Sequence, residues 1–238
     1  MAKHIGIVAC SAEGAALCYR TICLEGQKTM GAQMHPEVTM HTFPLGEYMN
    51  RLLQSGNWAG VAELMLSSAA KLTKAGADFL ICPDNTIHQA LDLVLPNSPL
   101  PWLHIAEEVS KQAQSRGYRK LGVLGTKYLM TGPVYPSKVK GFKLESMIPD
   151  EPTRERINDI IFNELVEGKF TDDSRRYFGE VIDWLKQAGC DAVVLGCTEI
   201  PLLVEQQHSS LPILDSTRIL ARAALAKATE KSAVFAGR

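Results

Sequence analysis

The chain has no run of about 18–20 consecutive apolar residues, the length that a membrane-spanning helix needs. It has no excess of either charge: 25 Lys and Arg stand against 26 Asp and Glu, so no net field draws it to nucleic acid or anionic lipid. No Gly-x-Gly-x-x-Gly or P-loop run is present to cradle a nucleotide phosphate. No Cys-x-x-Cys pair occurs among the six cysteines (Cys10, Cys18, Cys23, Cys82, Cys190 and Cys197), and their spacing fits no usual zinc site. Metal, nucleotide, nucleic acid and membrane are therefore not expected as partners. The first apolar run, Ile5 to Cys10, is too short for a secretion-signal core and lacks a cleavage site. A cytoplasmic location with reduced cysteines is expected.

What is present is an ordinary globular composition. Hydrophobic residues make up 46% of 238 positions and charged residues 21%, enough chain for two small domains of roughly 100–200 residues each. Short, nearly unbroken apolar runs fit strands covered on both faces. They are Ile5-Gly6-Ile7-Val8, Asp78-Phe79-Leu80-Ile81, Trp102-Leu103-His104-Ile105, Leu121-Gly122-Val123-Leu124, Ala192-Val193-Val194-Leu195 and Ile213-Leu214. Between them, 60–75 and 174–188 carry apolar residues at helical spacing. This alternation predicts an α/β fold with parallel sheets.

The chain also repeats itself. Lys3-His4-Ile5-Gly6-Ile7-Val8 resembles Arg119-Lys120-Leu121-Gly122-Val123-Leu124; Ala75-Gly76-Ala77-Asp78 resembles Ala188-Gly189-Cys190-Asp191; Leu100-Pro101-Trp102-Leu103 resembles Leu211-Pro212-Ile213-Leu214. Three matches in one order, at offsets of 116, 113 and 111, predict two copies of one α/β unit. Two similar Rossmann-like domains related by a pseudo-two-fold are expected, with the site in the cleft between them. The division drawn is 1–100 plus 211–238 for the first and 101–210 for the second.

Ligands bind beyond the carboxyl ends of parallel strands. Six residues after Asp78 stands Asp84; six after Asp191 stands Cys197. If the copies face each other, these two approach one cleft from opposite sides, and Cys10 and Ser11 occupy the positions of Thr126 and Lys127. Inverting a carbon stereocentre through a carbanion needs proton removal on one face and delivery on the other, by groups tuned towards the working pH. A thiol can do this, and a desolvated Asp can be raised to join it. Hydroxyls and backbone N–H groups at the strand ends, with Asn85, Thr86 and Thr198 among them, suit a substrate carboxylate and the developing enolate.

At these residues the chain resembles the cofactor-independent aspartate/glutamate/hydantoin racemase family. Gly196-Cys197-Thr198-Glu199-Ile200-Pro201-Leu202-Leu203 is similar to that family's second motif and Asn85-Thr86-Ile87-His88 to the tail of its first. Gly125-Thr126, Met130, Tyr135, Glu164-Leu165, Gly168 and Asp215-Ser216-Thr217 are weaker landmarks. Asp84 stands where the first motif usually has Cys, Leu129 where it has Thr, and Val166 near a position often held by Lys; Ala9-Cys10-Ser11-Ala12 replaces a glycine-rich loop. The resemblance implies a homodimeric isomerase acting without cofactor on a small carboxylate such as aspartate or glutamate.

The expected site is then Cys197 and Asp84 as proton carriers, with Ser11, Asn85, Thr86, Thr126, Lys127 and Thr198 binding substrate. Two alternatives stand beside a racemase: a one-sided isomerase or decarboxylase using Cys197 alone, and a carboxylate-binding protein without activity. Glu199 and His88 read as supporting residues, Asp215 as a turn residue and His104 as a core histidine. Positions 147–152 read as a loop before a helix at 154–166, and 232–238 as a frayed tail.

Overall fold

The computed structural model describes residues 2–53 and 56–230; the tail at 232–238 lies outside them. In the first half β1 (Ile5–Ala9) is followed by α1 (Ala12–Met30), β2 (Val38–Thr42), α2 (Leu45–Leu53), α3 (Trp58–Lys74) and β3 (Phe79–Ile81). A 3-10 turn at Thr86–Ala90 runs into the short α4 (Leu91–Val94), and α5 (Ile105–Ser115) follows. The second half begins with β4 (Lys120–Leu124), α6 (Lys127–Thr131), α7 (Val134–Val139), β5 (Glu145–Met147) and α8 (Glu151–Ile160). A π-helical turn at Ile161–Leu165 extends α8. Then come α9 (Asp172–Gln187), β6 (Ala192–Leu195), α10 (Ile200–Leu203), β7 (Ile213–Asp215) and α11 (Ser216–Thr229). The strands form two parallel sheets, ordered β2-β1-β3 and β5-β4-β6-β7. The fold is α/β, with all five residues of β1 and all four of β6 buried.

The repeated residues make the same hydrogen bonds in both halves. Helices α3 and α9 each end on a glycine with positive φ, Gly76 (92°) and Gly189 (89°), a conformation that costs glycine nothing. The Asp after each turn then clamps the neighbouring strand. Asp78 N–H donates to the His4 carbonyl (2.8 Å), and its Oδ2 accepts from His4 N–H (2.6 Å). Asp191 N–H donates to the Lys120 carbonyl (2.9 Å), and its Oδ1 accepts from Lys120 N–H (3.1 Å). The Leu-Pro segments match too: the Pro101 carbonyl accepts from Leu80 N–H and the Pro212 carbonyl from Val193 N–H, both at 2.9 Å. Repetition in sequence is thus repetition of a strand-registering device.

Where the copies diverge, the expectations need correction. The second copy completes β7 on β6, so Ile213–Asp215 belongs to the second sheet and not to the first, where the division at 211 put it. The first copy stops at one bridge between Leu80 and Trp102, because the His104 ring accepts from Ala106 N–H (3.2 Å) and caps α5. Trp102 therefore joins the first sheet rather than the second. Helix α11 crosses back: Leu220, Ala221, Ala224 and Ala228 pack with Ile5, Ile7, Cys18 and Ile22. That buried apolar surface outweighs the exposed Arg222–Glu25 pair spanning α11 and α1 (2.8 Å), of a kind worth about 0–1 kcal/mol. The stretch read as a loop at 147–152 contains the last residue of β5 and the start of α8.

Candidate active site

Strand register brings the chemistry together. Ile5 pairs with Phe79 and Ile7 with Ile81; Cys10 and Asp84 keep the same spacing of 74 just beyond those strands. Leu121 pairs with Ala192 and Leu124 with Leu195; Thr126 and Cys197 keep that spacing of 71 beyond theirs. One cavity is walled by Cys10, Ser11, Asp84, Thr86, Thr126, Cys197 and Glu199, so residues from the ends of both sheets meet in it.

The second-sheet wall is a polarised chain of hydrogen bonds. Glu199 Oε2 accepts from Cys197 Sγ (2.9 Å) and from the Thr198 hydroxyl (2.7 Å). With the Thr198 proton committed there, the Ser11 hydroxyl donates to Thr198 Oγ1 (3.0 Å), and Ser11 Oγ accepts in turn from Gly14 N–H (3.3 Å) as the cap of α1. Burial, reinforced by the Glu199 carboxylate, pushes the Cys197 thiol well above its ordinary value, so it carries its proton at neutral pH. This wall also explains Gly14. A Cβ there would lie 2.3 Å from Thr198 Cγ2. Alanine usually gains about 1 kcal/mol over glycine inside a helix, but overpacking costs about 1–3 kcal/mol. Gly14→Ala is expected to destabilise the fold in urea unfolding and, by displacing Thr198, to slow any proton exchange about tenfold or more.

The first-sheet wall holds an ionisable acid over a fixed backbone. Asp84 Oδ1 accepts from Ile87 N–H (3.1 Å), capping the 3-10 turn. His88 Nε2 accepts from Ile105 N–H (3.2 Å), which leaves the Nδ1 proton for the Asp84 carbonyl (2.7 Å). Burial holds His88 down to about 4, so it is neutral and positions this turn rather than moving protons. Burial raises Asp84 to about 6, with Glu199 adding to the effect, while the bond from Ile87 opposes it. Cys10 is buried beside this carboxylate and its thiol is likewise raised, by burial first and by Asp84 second. The Tyr48 hydroxyl, fully buried in the same cavity wall, has no hydrogen-bond partner among the described residues. An orphan buried donor costs about 1–3 kcal/mol.

Comparison with known proteins fits this geometry. The profile of the Asp/Glu/hydantoin racemase family matches residues 10–224, which spans every residue of both walls. The chain belongs to this family. It is similar to a candidate Asp/Glu racemase of known structure from Yersinia pestis (32% identity, 95% of this chain and 99% of that one, TM-score 0.86). An aspartate racemase homologue from Pyrococcus horikoshii superposes over 96% of this chain and 100% of its own, with 27% identity and a TM-score of 0.82. The broad-specificity amino-acid racemase RacX of Bacillus subtilis is 25% identical over 199 residues, covering 82% of this chain and 85% of RacX.

In this racemase-family protein the expected site residues divide. Asp84, Cys197, Ser11, Thr86 and Thr126 stand on the cavity wall, with the Thr86 and Thr126 hydroxyls joined across the halves at 3.0 Å. Asn85, Lys127 and Thr198 do not. Asn85 is spent as a clasp, accepting from Tyr135 Oη (2.8 Å) and donating to Ser216 Oγ (2.9 Å). Lys127 Nζ turns outward to Glu155 (3.1 Å), and Thr198 reaches the site through Glu199 and Ser11, which it links. Asp215 caps α11 and His104 caps α5. Cys10 and Tyr48 were missed as wall residues. The spacing that links Cys10 to Asp84 was readable from the strands; nothing in the sequence marks Tyr48. Among the described residues no group of three or more His, Cys, Asp or Glu is arranged to hold a metal ion, and no helix is long and apolar enough to cross a membrane.

Proposed function

We propose that this protein is an amino-acid racemase that exchanges the α-proton with its own side chains and no cofactor. The observation that carries the reading is one cavity holding a raised carboxylate, Asp84, at one sheet's end and a protonated thiol, Cys197, at the other's. The Asp84 carboxylate takes the α-proton: the C–H bond breaks, an O–H bond forms, and the electron pair moves into the substrate carboxylate as an enediolate. Cys197 delivers its proton to the opposite face and is left as thiolate. The inverted product leaves, Asp84 loses its proton, and the thiolate regains one from solvent. The paired Thr86 and Thr126 hydroxyls stand on the same wall, and the one that accepts within the pair keeps its proton for the developing charge. The similarity to RacX supports an amino acid as substrate. The resemblance of the motifs implies aspartate or glutamate, although this chemistry requires only the α-carboxylate.

A one-sided decarboxylase has no use for a base opposite its thiol, and the raised Asp84 favours the two-sided reading. The resting pair also sets the pH dependence. Exchange is expected to rise with pH through about 6 as Asp84 ionises, then to stay flat past the ordinary thiol value of 9. A profile of kcat/KM for α-proton exchange in deuterated buffer tests this. A limb near 4, or a fall between pH 7 and 9, would show that these groups do not carry the protons.

A further inference from the structure

One side of the cavity is largely apolar, with the Tyr48 and Tyr128 rings beside its aliphatic residues. Helix α2 contributes Leu45, Met49 and Leu52; Ile161, Phe162 and Val166 come from the π-helical turn and the residue after it. An adjoining cavity shares Leu45 and Val166 and adds Phe43. The acidic groups on these walls are Asp84 and Glu199, with Glu13 in the adjoining cavity. No Lys or Arg lines either cavity among the described residues.

A side-chain carboxylate placed here would leave water without a counter-charge, in the field of two resident carboxylates. Burying an unpaired ion costs several kcal/mol even after relaxation. An apolar side chain gains instead, at roughly 25 cal/mol for each Å² removed from water. An α-ammonium group is compatible with the same walls, because Asp84 and Glu199 supply its opposite charge.

We propose that the substrate is a neutral α-amino acid with an apolar side chain, seated against Leu45, Met49, Phe162 and Val166, and not a dicarboxylate. The proposal rests on the racemase reading above and names the side chain that reading left open. It departs from the acidic substrate that the family resemblance implies. Position 166 sets the sign of the preference: an apolar residue lines both cavities at a point where a cation would welcome an acid.

The test is α-hydrogen exchange by the full chain, followed by NMR in deuterated water, with both enantiomers of leucine, methionine, aspartate and glutamate. Leucine or methionine is expected to show kcat/KM about tenfold or more above either acid. Val166→Lys is expected to move that ratio about tenfold towards the acids. Phe162→Ala serves if the lysine variant does not fold, and should lower the methionine-to-alanine ratio. Aspartate or glutamate as the better wild-type substrate overturns the apolar subsite and leaves the racemase reading standing. No exchange with any amino acid overturns the racemase reading; calorimetric titration then decides the subsite, with tighter leucine supporting it and tighter aspartate ending it.

Discussion

Cys197→Ser is expected to cut inversion of configuration about 10³-fold while leaving one-handed exchange in place. The serine hydroxyl can still donate to Glu199, so the buried hydrogen bond and the fold survive. What is lost is a proton donor of suitable acidity; positioned acid–base groups contribute about 10²–10⁴-fold. Asp84 remains on its own wall and can still remove and return a proton there. The enantiomer whose α-hydrogen faces Asp84 should therefore exchange with solvent within about tenfold of the wild-type rate, yet without inverting. Chiral chromatography reads inversion and NMR reads wash-out on the same samples. Inversion at the wild-type rate would remove Cys197 from the mechanism. Equal loss of wash-out from both hands would place both transfers on the thiol and leave Asp84 a binding group.

Asp84→Asn has the opposite signature: activity falls and stability rises. Activity is expected to drop by about 10²–10⁴-fold, because the amide cannot accept the α-proton. The amide oxygen still accepts from Ile87 N–H, so the turn is kept. The stability effect follows from the direction of the pKa change. The folded-state value is raised from 3.8 to about 6, so the native protein binds more protons than the unfolded chain between those values. The carboxylate's cost is absent below pH 3.8, grows as pH rises, and is complete above about 6. At about 1.4 kcal/mol per pH unit it reaches about 3 kcal/mol. Urea unfolding should show Asp84→Asn more stable than wild type by about that much at pH 8 and equal at pH 3.5. Equal stability at both pH values would mean that Asp84 is solvated like a surface carboxylate. A wall that is stabilised when its acid is removed is one held ready for chemistry at the expense of the fold.

Much of the architecture was legible, for identifiable reasons. Strands β1, β3, β4 and β6 are covered on both faces, so their apolar runs are unbroken and readable. Strands β2 and β5 lie at sheet edges; Val38-Thr39-Met40-His41-Thr42 and Glu145-Ser146-Met147 are partly exposed and mix polar with apolar residues, which hides them. Helix 60–75 read from periodicity agrees with α3, and 174–188 with α9, within two residues at each end. Trp102 to Ile105 misled because His104 sits in an apolar run, and its role as a cap depends on where the Ala106 N–H points.

The sequence alone determined the parallel α/β plan, the duplicated unit and the pairing of Asp84 with Cys197, since all three follow from local periodicity and constant offsets. It also placed Cys10 and Ser11 at a strand end. Only the tertiary structure decided which side chains face the cavity. Asn85, Lys127 and Thr198 each have the right chemistry at the right strand end, yet Tyr135, Ser216, Glu155 and Glu199 claim their polar atoms first. It alone brought α2 and the π-helical turn together as an apolar wall, from segments more than a hundred residues apart. That wall is written in no motif, because desolvation is a property of everything surrounding a site rather than of the residues that perform its chemistry.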